Sequence, residues 1–183
     1  MVKGKLIASY CAMIDPYMLI LGIDPGTAIT GFGVVEQSAG KVQAVEFGVF
    51  KTAARDNPEV RLAQLYHHLL AIIQRHRPGA LAIEKLFFGS NVTTAFSVGQ
   101  ARGVIMLAAA QNQIPIFEYA PNEIKLSVSG YGKADKKQIQ HMVKQLLGLK
   151  EAPKPDDAAD ALAVAICHLG TVGLREKLRK AKK

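Results

Sequence analysis

Short apolar segments alternate with longer amphipathic ones along most of this chain. The short segments, rich in Val, Ile and Leu, predict five β-strands at about 18–24, 30–36, 42–51, 80–84 and 115–119. The longer segments carry apolar residues at helical spacing and predict five helices at about 58–77, 92–113, 121–129, 136–147 and 156–169. Pro58 and Asp135 stand where helix-opening residues are expected.

The order of these elements is β-β-β-α-β-α-β-α-α-α. Gly40 and Lys41 separate the second strand from the third, which indicates a hairpin. Three consecutive strands followed by alternating helices and strands predict an α/β fold, with a mixed five-stranded sheet flanked by helices on both faces.

Composition restricts the class of protein. A chain of 183 residues with 49% hydrophobic and 21% charged residues suits one globular domain and excludes a disordered one. The two cysteines exclude a secreted disulfide scaffold, and no apolar run reaches the ~18 residues of a membrane helix. We therefore expect a cytoplasmic protein.

The first seventeen residues differ from the rest. They combine two lysines, a short mixed apolar stretch and Asp15-Pro16, without the core of a signal peptide. Because a clean strand begins at Met18, we predict that residues 1–17 are a non-native or flexible leader; an ordered N-terminal strand is the competing interpretation. Residues 18–170 then form a single domain, and 171–183 a basic tail.

The net charge of +8 is concentrated in two segments. Residues 174–183 contain six Lys or Arg and one Glu, and residues 120–150 contain six Lys and two acids. Basic segments around a nearly neutral body favour a polyanion partner, most simply a nucleic acid. A tail that only increases solubility explains the charge of 174–183 equally well.

Carboxylates close two of the apolar strands. Asp24 ends the first strand and Glu84 ends the fourth. Functional sites of open α/β sheets lie at the carboxyl ends of strands, and a charge that closes a buried strand requires partners. Each residue alone is also explained as a turn or capping group.

The segment Asp156-Asp157-Ala-Ala-Asp160 adds further acids at the start of the last helix. Capping of the helix accounts for Asp156 or Asp157. It does not account for Asp160, which opens an apolar stretch. On a helix, Asp157 and Asp160 share one face.

Convergence of these acids with Asp24 and Glu84 would demand a cation, because like charges repel. Oxygen ligands select Mg²⁺ or Mn²⁺ and not zinc. Two such ions can hold the attacking and leaving oxygens of a phosphodiester displacement. An acidic site with basic flanks is the combination that a nuclease needs.

The glycine patterns do not support a nucleotide-binding protein. Gly26 and Gly31 have P-loop spacing, but Phe32 stands where that motif requires Lys. Asp24-Pro25-Gly26-Thr27 is also similar to the phosphate-binding turn of sugar kinases and actin-like ATPases. That fold needs a second, similar half, for which 183 residues leave no room. The small residues Gly31 and Gly33 are better explained by close packing.

Six motifs, in order from about 18 to 169, closely resemble the bacterial RuvC-type Holliday-junction resolvases. They are Gly22-Ile-Asp-Pro-Gly-Thr27, Ala82-Ile-Glu84 with Phe87, Gly99-Gln-Ala-Arg-Gly103, Phe117-Glu-Tyr119, Gln140-His-Met142 and Asp157-Ala-Ala-Asp-Ala-Leu162. The resemblance implies a ribonuclease-H-like nuclease domain over 18–170. It also implies a homodimer that nicks two strands symmetrically across a four-way DNA junction, giving 5′-phosphate and 3′-hydroxyl ends.

The same resemblance implies roles for individual residues. The catalytic and metal-binding acids are Asp24, Glu84, Asp157 and Asp160, holding two Mg²⁺ ions per subunit, with Mn²⁺ as a substitute. The DNA-binding residues are Phe87, which stacks on junction bases, and the phosphate-contacting Lys125 and Lys136. Packing beneath the loop is the competing interpretation of Phe87, and a solvated helix face accounts for Lys133, Lys137 and Lys144.

Partners follow from the resemblance as well. Family members work with a branch-migration motor of the RuvA and RuvB type in recombination and repair. The helix at 92–113, rich in small residues, is the candidate dimer interface, although packing on the sheet explains it equally well. The rival functions are a ribonuclease-H-like enzyme for RNA or RNA–DNA hybrids and a non-catalytic junction-binding protein.

Overall fold

A mixed five-stranded sheet forms the centre of the molecule in the computed structural model, which describes residues 17–86 and 92–181. The strands are β1 (Tyr17–Asp24), β2 (Ile29–Ser38), β3 (Lys41–Lys51), β4 (Ala80–Glu84) and β5 (Ile116–Tyr119). Their order across the sheet is β3-β2-β1-β4-β5. The first three strands pair antiparallel, and β1, β4 and β5 pair parallel. The predicted mixed sheet is confirmed.

The predicted hairpin joins β2 to β3. Its turn residues Ala39 and Gly40 have φ angles of 48° and 80°. Two consecutive positive φ angles give a turn whose twist matches that of the flanking strands. A bulge between Val34 and Val35 shifts the β2–β3 register. The predicted leader, apart from Tyr17, lies outside the described residues.

Five helices cover the sheet in the part of the chain that the structure describes, as predicted. They are α1 (Pro58–His76), α2 (Val92–Gln111), α3 (Pro121–Ser129), α4 (Lys136–Leu146) and α5 (Asp156–Ala181). The prediction that the last helix ends near Leu169 is wrong, because α5 continues to Ala181. The residues after Leu169 are mostly good helix formers, and each helical glycine costs only ~1 kcal/mol, so Gly170 and Gly173 do not end it.

Two apolar layers hold the helices on opposite faces of the sheet. Ile20 of β1 belongs to the layer that contacts α3, α4 and α5, whereas the next residue, Leu21, belongs to the layer that contacts α1 and α2. This change of face between neighbours is the period-two pattern of a strand buried on both sides. In α5, residues 156–174 are long and apolar enough to cross a membrane, with a mean hydropathy of 1.3, but 61% of that stretch is buried inside the protein.

A buried histidine connects the last strand to α5. His168 has no exposed surface, and its Nδ1 lies 2.8 Å from the hydroxyl oxygen of Tyr119 in β5. The ring of Phe117 lies 4.4 Å from the His168 ring, centroid to centroid. The hydrogen bond satisfies two polar groups that would otherwise be costly to bury. His168 is therefore a core residue, at a distance along α5 from the acids at its start.

Glycines in β1 and β2 allow α5 to lie unusually close to the sheet. Gly22 and Gly33 are paired across the two strands. A Cβ atom on Gly22 would lie 2.1 Å from the carbonyl oxygen of Ala161, and one on Gly33 would lie 2.7 Å from Leu162 Cδ2. The prediction that the glycines of β2 serve close packing is confirmed.

We predict that Gly22→Ala destabilises the protein, because the added methyl group meets helix backbone that cannot move aside alone. Overpacking of this kind lowers the free energy of unfolding by ~1–3 kcal/mol. The matched control is Gly173→Ala in α5, where a Cβ atom would meet nothing within 4 Å. Urea unfolding should show the control equal to or slightly more stable than the unsubstituted chain. Equal stability of the two variants would contradict the packing argument.

Candidate active site

Asp24 and Glu84 lie side by side at one edge of the sheet. Each is the last residue of its strand, β1 and β4 respectively. The two strands are parallel neighbours, and the preceding residues Ile23 and Ile83 are register partners. Parallel pairing thus places both carboxyl groups at the same end of adjacent strands, as the sequence predicts.

The start of α5 brings the remaining acids to the same edge. Gly31 of β2 pairs with Asp24, and a Cβ atom on Gly31 would lie 1.9 Å from the carbonyl oxygen of Asp157. The first turn of α5 therefore contacts the backbone beside Asp24. Asp160 follows one turn later and lines the same cleft as Glu84.

The electrostatics of Asp24 show that the four acids act on one another. Burial, followed by the charges of Asp160, Glu84 and Asp157, raises the pKa of the Asp24 carboxyl to about 7. Burial and the charge of Asp160 also raise the pKa of Glu84, against the opposing effect of Lys125. The structure thus brings together all four carboxylates predicted from the sequence.

Asp156 and Asp157 differ in what they contact. The Asp156 side chain is 58% exposed and bonds across to α4, accepting from Gln140 Nε2 at 2.8 Å and lying 3.3 Å from Lys136 Nζ. In addition to burial, the charges of both residues raise the pKa of Asp160, that of Asp156 more strongly. Asp157 is less exposed, and of the two it is the one whose charge raises the pKa of Asp24. The geometry therefore favours Asp157 over Asp156 as the member of the cluster.

Two lysines border the cluster. Lys136 Nζ lies 3.3 Å from a carboxylate oxygen of Asp160 as well as from Asp156. Lys125 lies with Glu84, Asp160 and Lys136 around a cleft of about 250 Å³ between α3, α4 and α5. The cleft is thus lined by both acids and cations, which suits a phosphodiester whose reacting phosphate needs metal and charge stabilisation. Phe87 lies outside the described residues.

Arg102 is a residue whose role the sequence analysis did not find. From α2, its guanidinium donates hydrogen bonds to the carbonyl oxygen of Glu84 and, at 2.6 Å, to a carboxylate oxygen of Glu118. Its side chain is only 11% exposed. The available signal was an arginine inside an otherwise uncharged helix. Arg102 therefore links α2 to the end of β4, where Glu84 is the last residue.

The donor set fits a hard divalent cation. Four carboxylates offer only oxygen ligands, which suit Mg²⁺ or Mn²⁺. Within residues 17–86 and 92–181, no three Asp, Glu, His or Cys side chains are already arranged to hold a metal ion. The mutual pKa effects nevertheless show repulsion that a bound cation would relieve. The cluster is electrostatically coupled without forming a closed coordination shell.

A mixed sheet in this strand order, with acids at the ends of its central strands and on the helix packed against them, defines a ribonuclease-H-like nuclease fold. The family model for crossover junction endodeoxyribonuclease RuvC matches residues 20–168. The chain belongs to this family.

Individual relatives agree with this assignment. The crossover junction endodeoxyribonuclease RuvC of Desulfitobacterium hafniense is 53% identical over 161 residues, which cover 88% of this chain and 98% of the relative. The structure of Thermus thermophilus RuvC in complex with a Holliday junction substrate superposes with a TM-score of 0.80 at 37% identity, covering 84% of this chain and 94% of that one. The yeast mitochondrial Holliday junction resolvase Ydc2 shares the fold, with a TM-score of 0.67 at 16% identity, covering 97% of this chain and 91% of its own.

We predict that Asp24→Asn stabilises the metal-free protein at alkaline pH. Because the pKa of Asp24 is about 7 in the folded chain and 3.8 in its ordinary state, folding takes up protons, and the free energy of unfolding falls as pH rises between these values. In EDTA at pH 8 the variant should be more stable by on the order of 2 kcal/mol. The gain should shrink towards pH 4.

Glu151→Gln is the control for this stability measurement, because Glu151 is an exposed carboxylate in the loop before α5. It should change the free energy of unfolding little at either pH. An Asp24→Asn variant less stable than the unsubstituted chain at pH 8 would show that the acids do not repel one another.

Proposed function

We propose that this chain cleaves four-way DNA junctions with Asp24, Glu84, Asp157 and Asp160 as its catalytic carboxylates. The family to which it belongs is that of the crossover junction endodeoxyribonucleases. The observation that carries the residue assignment is the convergence of four acids from β1, β4 and α5, where burial and then the charges of the other three raise the pKa of Asp24 to about 7.

The chemistry is hydrolysis of a phosphodiester. Mg²⁺, with Mn²⁺ as a substitute and two ions per subunit, would be held by the four carboxylates and would supply an activated water and charge neutralisation. Attack by water on phosphorus breaks the bond to the 3′ oxygen, leaving a 5′-phosphate and a 3′-hydroxyl. Lys125 at the rim of the cleft is placed to stabilise negative charge on the phosphate.

DNA contacts extend from the same cleft. Lys136, held between Asp156 and Asp160, lies where it can exchange a carboxylate for a phosphate oxygen of the strand. Phe87 follows shortly after Glu84 in the chain, and we assign it the stacking role that the family resemblance implies. Basic residues at 120–150 support electrostatic binding of the DNA backbone.

The homodimer is assigned to the outer face of α2. Its inner face packs in the core through Ala101, Ile105 and Ala108. Its outer face exposes Phe96 and Leu107, at 68% and 53%. Gly103 lies between them, and a Cβ atom there would meet nothing within 4 Å.

Packing in the core accounts for the inner face of α2, and we assign the dimer contact to its outer face. An exposed apolar stripe around a glycine permits close approach of a second helix. Two copies joined there would provide two active sites for paired nicks.

We assign a cytoplasmic location and a branch-migration motor of the RuvA and RuvB type as partner.

We predict Mg²⁺-dependent paired nicks on a mobile four-way junction, and none on linear duplex or an RNA–DNA hybrid. Purified chain should be assayed on all three substrates, with Mg²⁺ and with EDTA. Asp24→Asn should abolish cleavage and leave junction binding equal or tighter, because a negative charge beside the phosphate is removed.

Cleavage that survives in Asp24→Asn would contradict the site assignment. Cutting of the hybrid alone would transfer the function to RNA removal. Binding without cleavage under every metal condition would indicate a junction-binding protein.

We also predict that Leu107→Lys converts the dimer to a monomer, because a charge would be buried at the helix contact. Sedimentation equilibrium measures the change in oligomeric state directly. In the cleavage assay, the two symmetric nicks across the junction should no longer occur together. Val60→Lys on α1 is the control, since Val60 is 43% exposed on another helix. A Leu107→Lys variant that stays dimeric would place the interface elsewhere.

A further inference from the structure

The loop between α3 and α4 exposes an aromatic ring to solvent. Tyr131 is 58% exposed, whereas most large apolar residues of α3, α4 and α5 are buried in the apolar layer between these helices and the sheet. The loop joins two helices that both border the active-site cleft, since α3 carries Lys125 and α4 begins with Lys136. A nucleic acid strand bound at these two lysines would therefore pass close to Tyr131.

Hydrogen bonds hold the backbone of Tyr131 in place. The Tyr131 amide donates to the Ser129 hydroxyl oxygen at 3.2 Å. The single proton of that hydroxyl is shared between the carbonyl oxygens of Lys125 at 2.8 Å and Tyr131 at 3.0 Å. The Tyr131 carbonyl also accepts from the Ala134 amide at 3.1 Å. An aromatic side chain on a fixed backbone loses little conformational entropy when it binds.

Both ends of the loop are fixed as well. Gly130 ends α3 with a φ of 74° and donates to the carbonyl oxygen of Leu126 at 2.9 Å. Asp135 begins α4 in a reciprocal pair with Gln138, with bonds of 2.8 and 2.9 Å. The exposed ring is thus presented by a preorganised turn.

The surroundings of Tyr131 suit a nucleotide. A shallow cavity of about 440 Å³ lies beside the ring and is lined by Lys137, His141 and Met142, together with Ser129, Ala134, Asp135 and Gln138. Lys133 and Lys137 are exposed, whereas the acid there, Asp135, is engaged as the helix cap. The cavity and the active-site cleft flank the first turns of α4. A planar ring can stack on a nucleobase while neighbouring cations contact the charged phosphate backbone.

We propose that Tyr131 is a stacking subsite for a nucleobase of the DNA strand that leaves the active-site cleft, with Lys137 on the adjacent phosphate. The proposal rests on the proposed junction-cleaving function and adds a contact outside the acidic cluster. Stacking on a ring is tolerant of sequence, so the subsite would hold the strand without selecting a base.

The test measures binding in EDTA, so that cleavage plays no part. Full-length chain, Tyr131→Ala, Tyr131→Phe and Lys137→Ala are titrated with a four-way junction and with a single-stranded oligonucleotide over a range of salt concentrations. Leu146→Ala is the matched control, because Leu146 is 42% exposed at the far end of α4. Thermal unfolding of each variant verifies folding.

Tyr131→Ala should weaken binding of both DNAs about tenfold, with an unchanged slope of log Kd against log salt concentration, because a stacked ring releases no counterions. Tyr131→Phe should bind within twofold of the unsubstituted chain. Lys137→Ala should reduce the slope by about 0.9 with the junction and by about 0.7 with the single-stranded oligonucleotide. Leu146→Ala should change nothing.

Unchanged affinity of a folded Tyr131→Ala would overturn the proposal, and so would a Tyr131→Phe variant as weak as Tyr131→Ala, since the hydroxyl and not the ring would then be responsible. The titration with single-stranded DNA distinguishes failure of the Tyr131 stacking proposal from failure of the proposed junction-cleaving function. A chain that prefers single strands to junctions would contradict junction cleavage, while the Tyr131 comparison would still decide on stacking.

Discussion

Close contact between α5 and the paired strands β1 and β2 determines the rest of the structure. Three glycines on those strands, Gly22, Gly31 and Gly33, lie where any Cβ atom would collide with α5. Because the helix lies directly on the strand backbone, its first turn reaches the end of β1. The same contact that completes one apolar layer therefore also delivers Asp157 and Asp160 to Asp24 and Glu84. Packing and the geometry of the acidic cluster depend on one interface.

That geometry opposes stability. Burial disfavours the charged form of Asp24, and the neighbouring charges of Asp160, Glu84 and Asp157 add repulsion, so the pKa of Asp24 is raised. Lys136 offsets part of this repulsion by lying 3.3 Å from Asp160. A cation that binds at this site would relieve the repulsion. Because it binds only the folded state, it would stabilise the protein. The rigid sheet and α5 keep the acids together despite the repulsion.

Helix α2 connects the active site to the outer surface of the molecule. Its Arg102, whose side chain is 11% exposed, bonds to the carbonyl oxygen of Glu84 at the end of β4. Phe96 and Leu107 on its exposed side form the apolar stripe assigned to the dimer. A second copy bound to this stripe would therefore contact the helix whose Arg102 bonds to the end of β4. The proposed dimer contact and the hydrogen bond to the Glu84 carbonyl oxygen therefore both belong to α2.

Sequence by itself determined the order of the elements, the mixed sheet and the four acids, because strand and helix periods are local and parallel strands end at a common edge. It also identified Gly31 and Gly33 as packing residues. Only the tertiary structure showed that Asp156 bonds to Gln140, revealed the bonds of Arg102 and showed that the two faces of α2 differ in burial. These features depend on contacts between residues far apart in the chain, which no local pattern encodes. The end of α5 was misjudged for a related reason: a glycine weakens a helix locally, but the helix formers around it and the helix already seated on the sheet outweigh that loss.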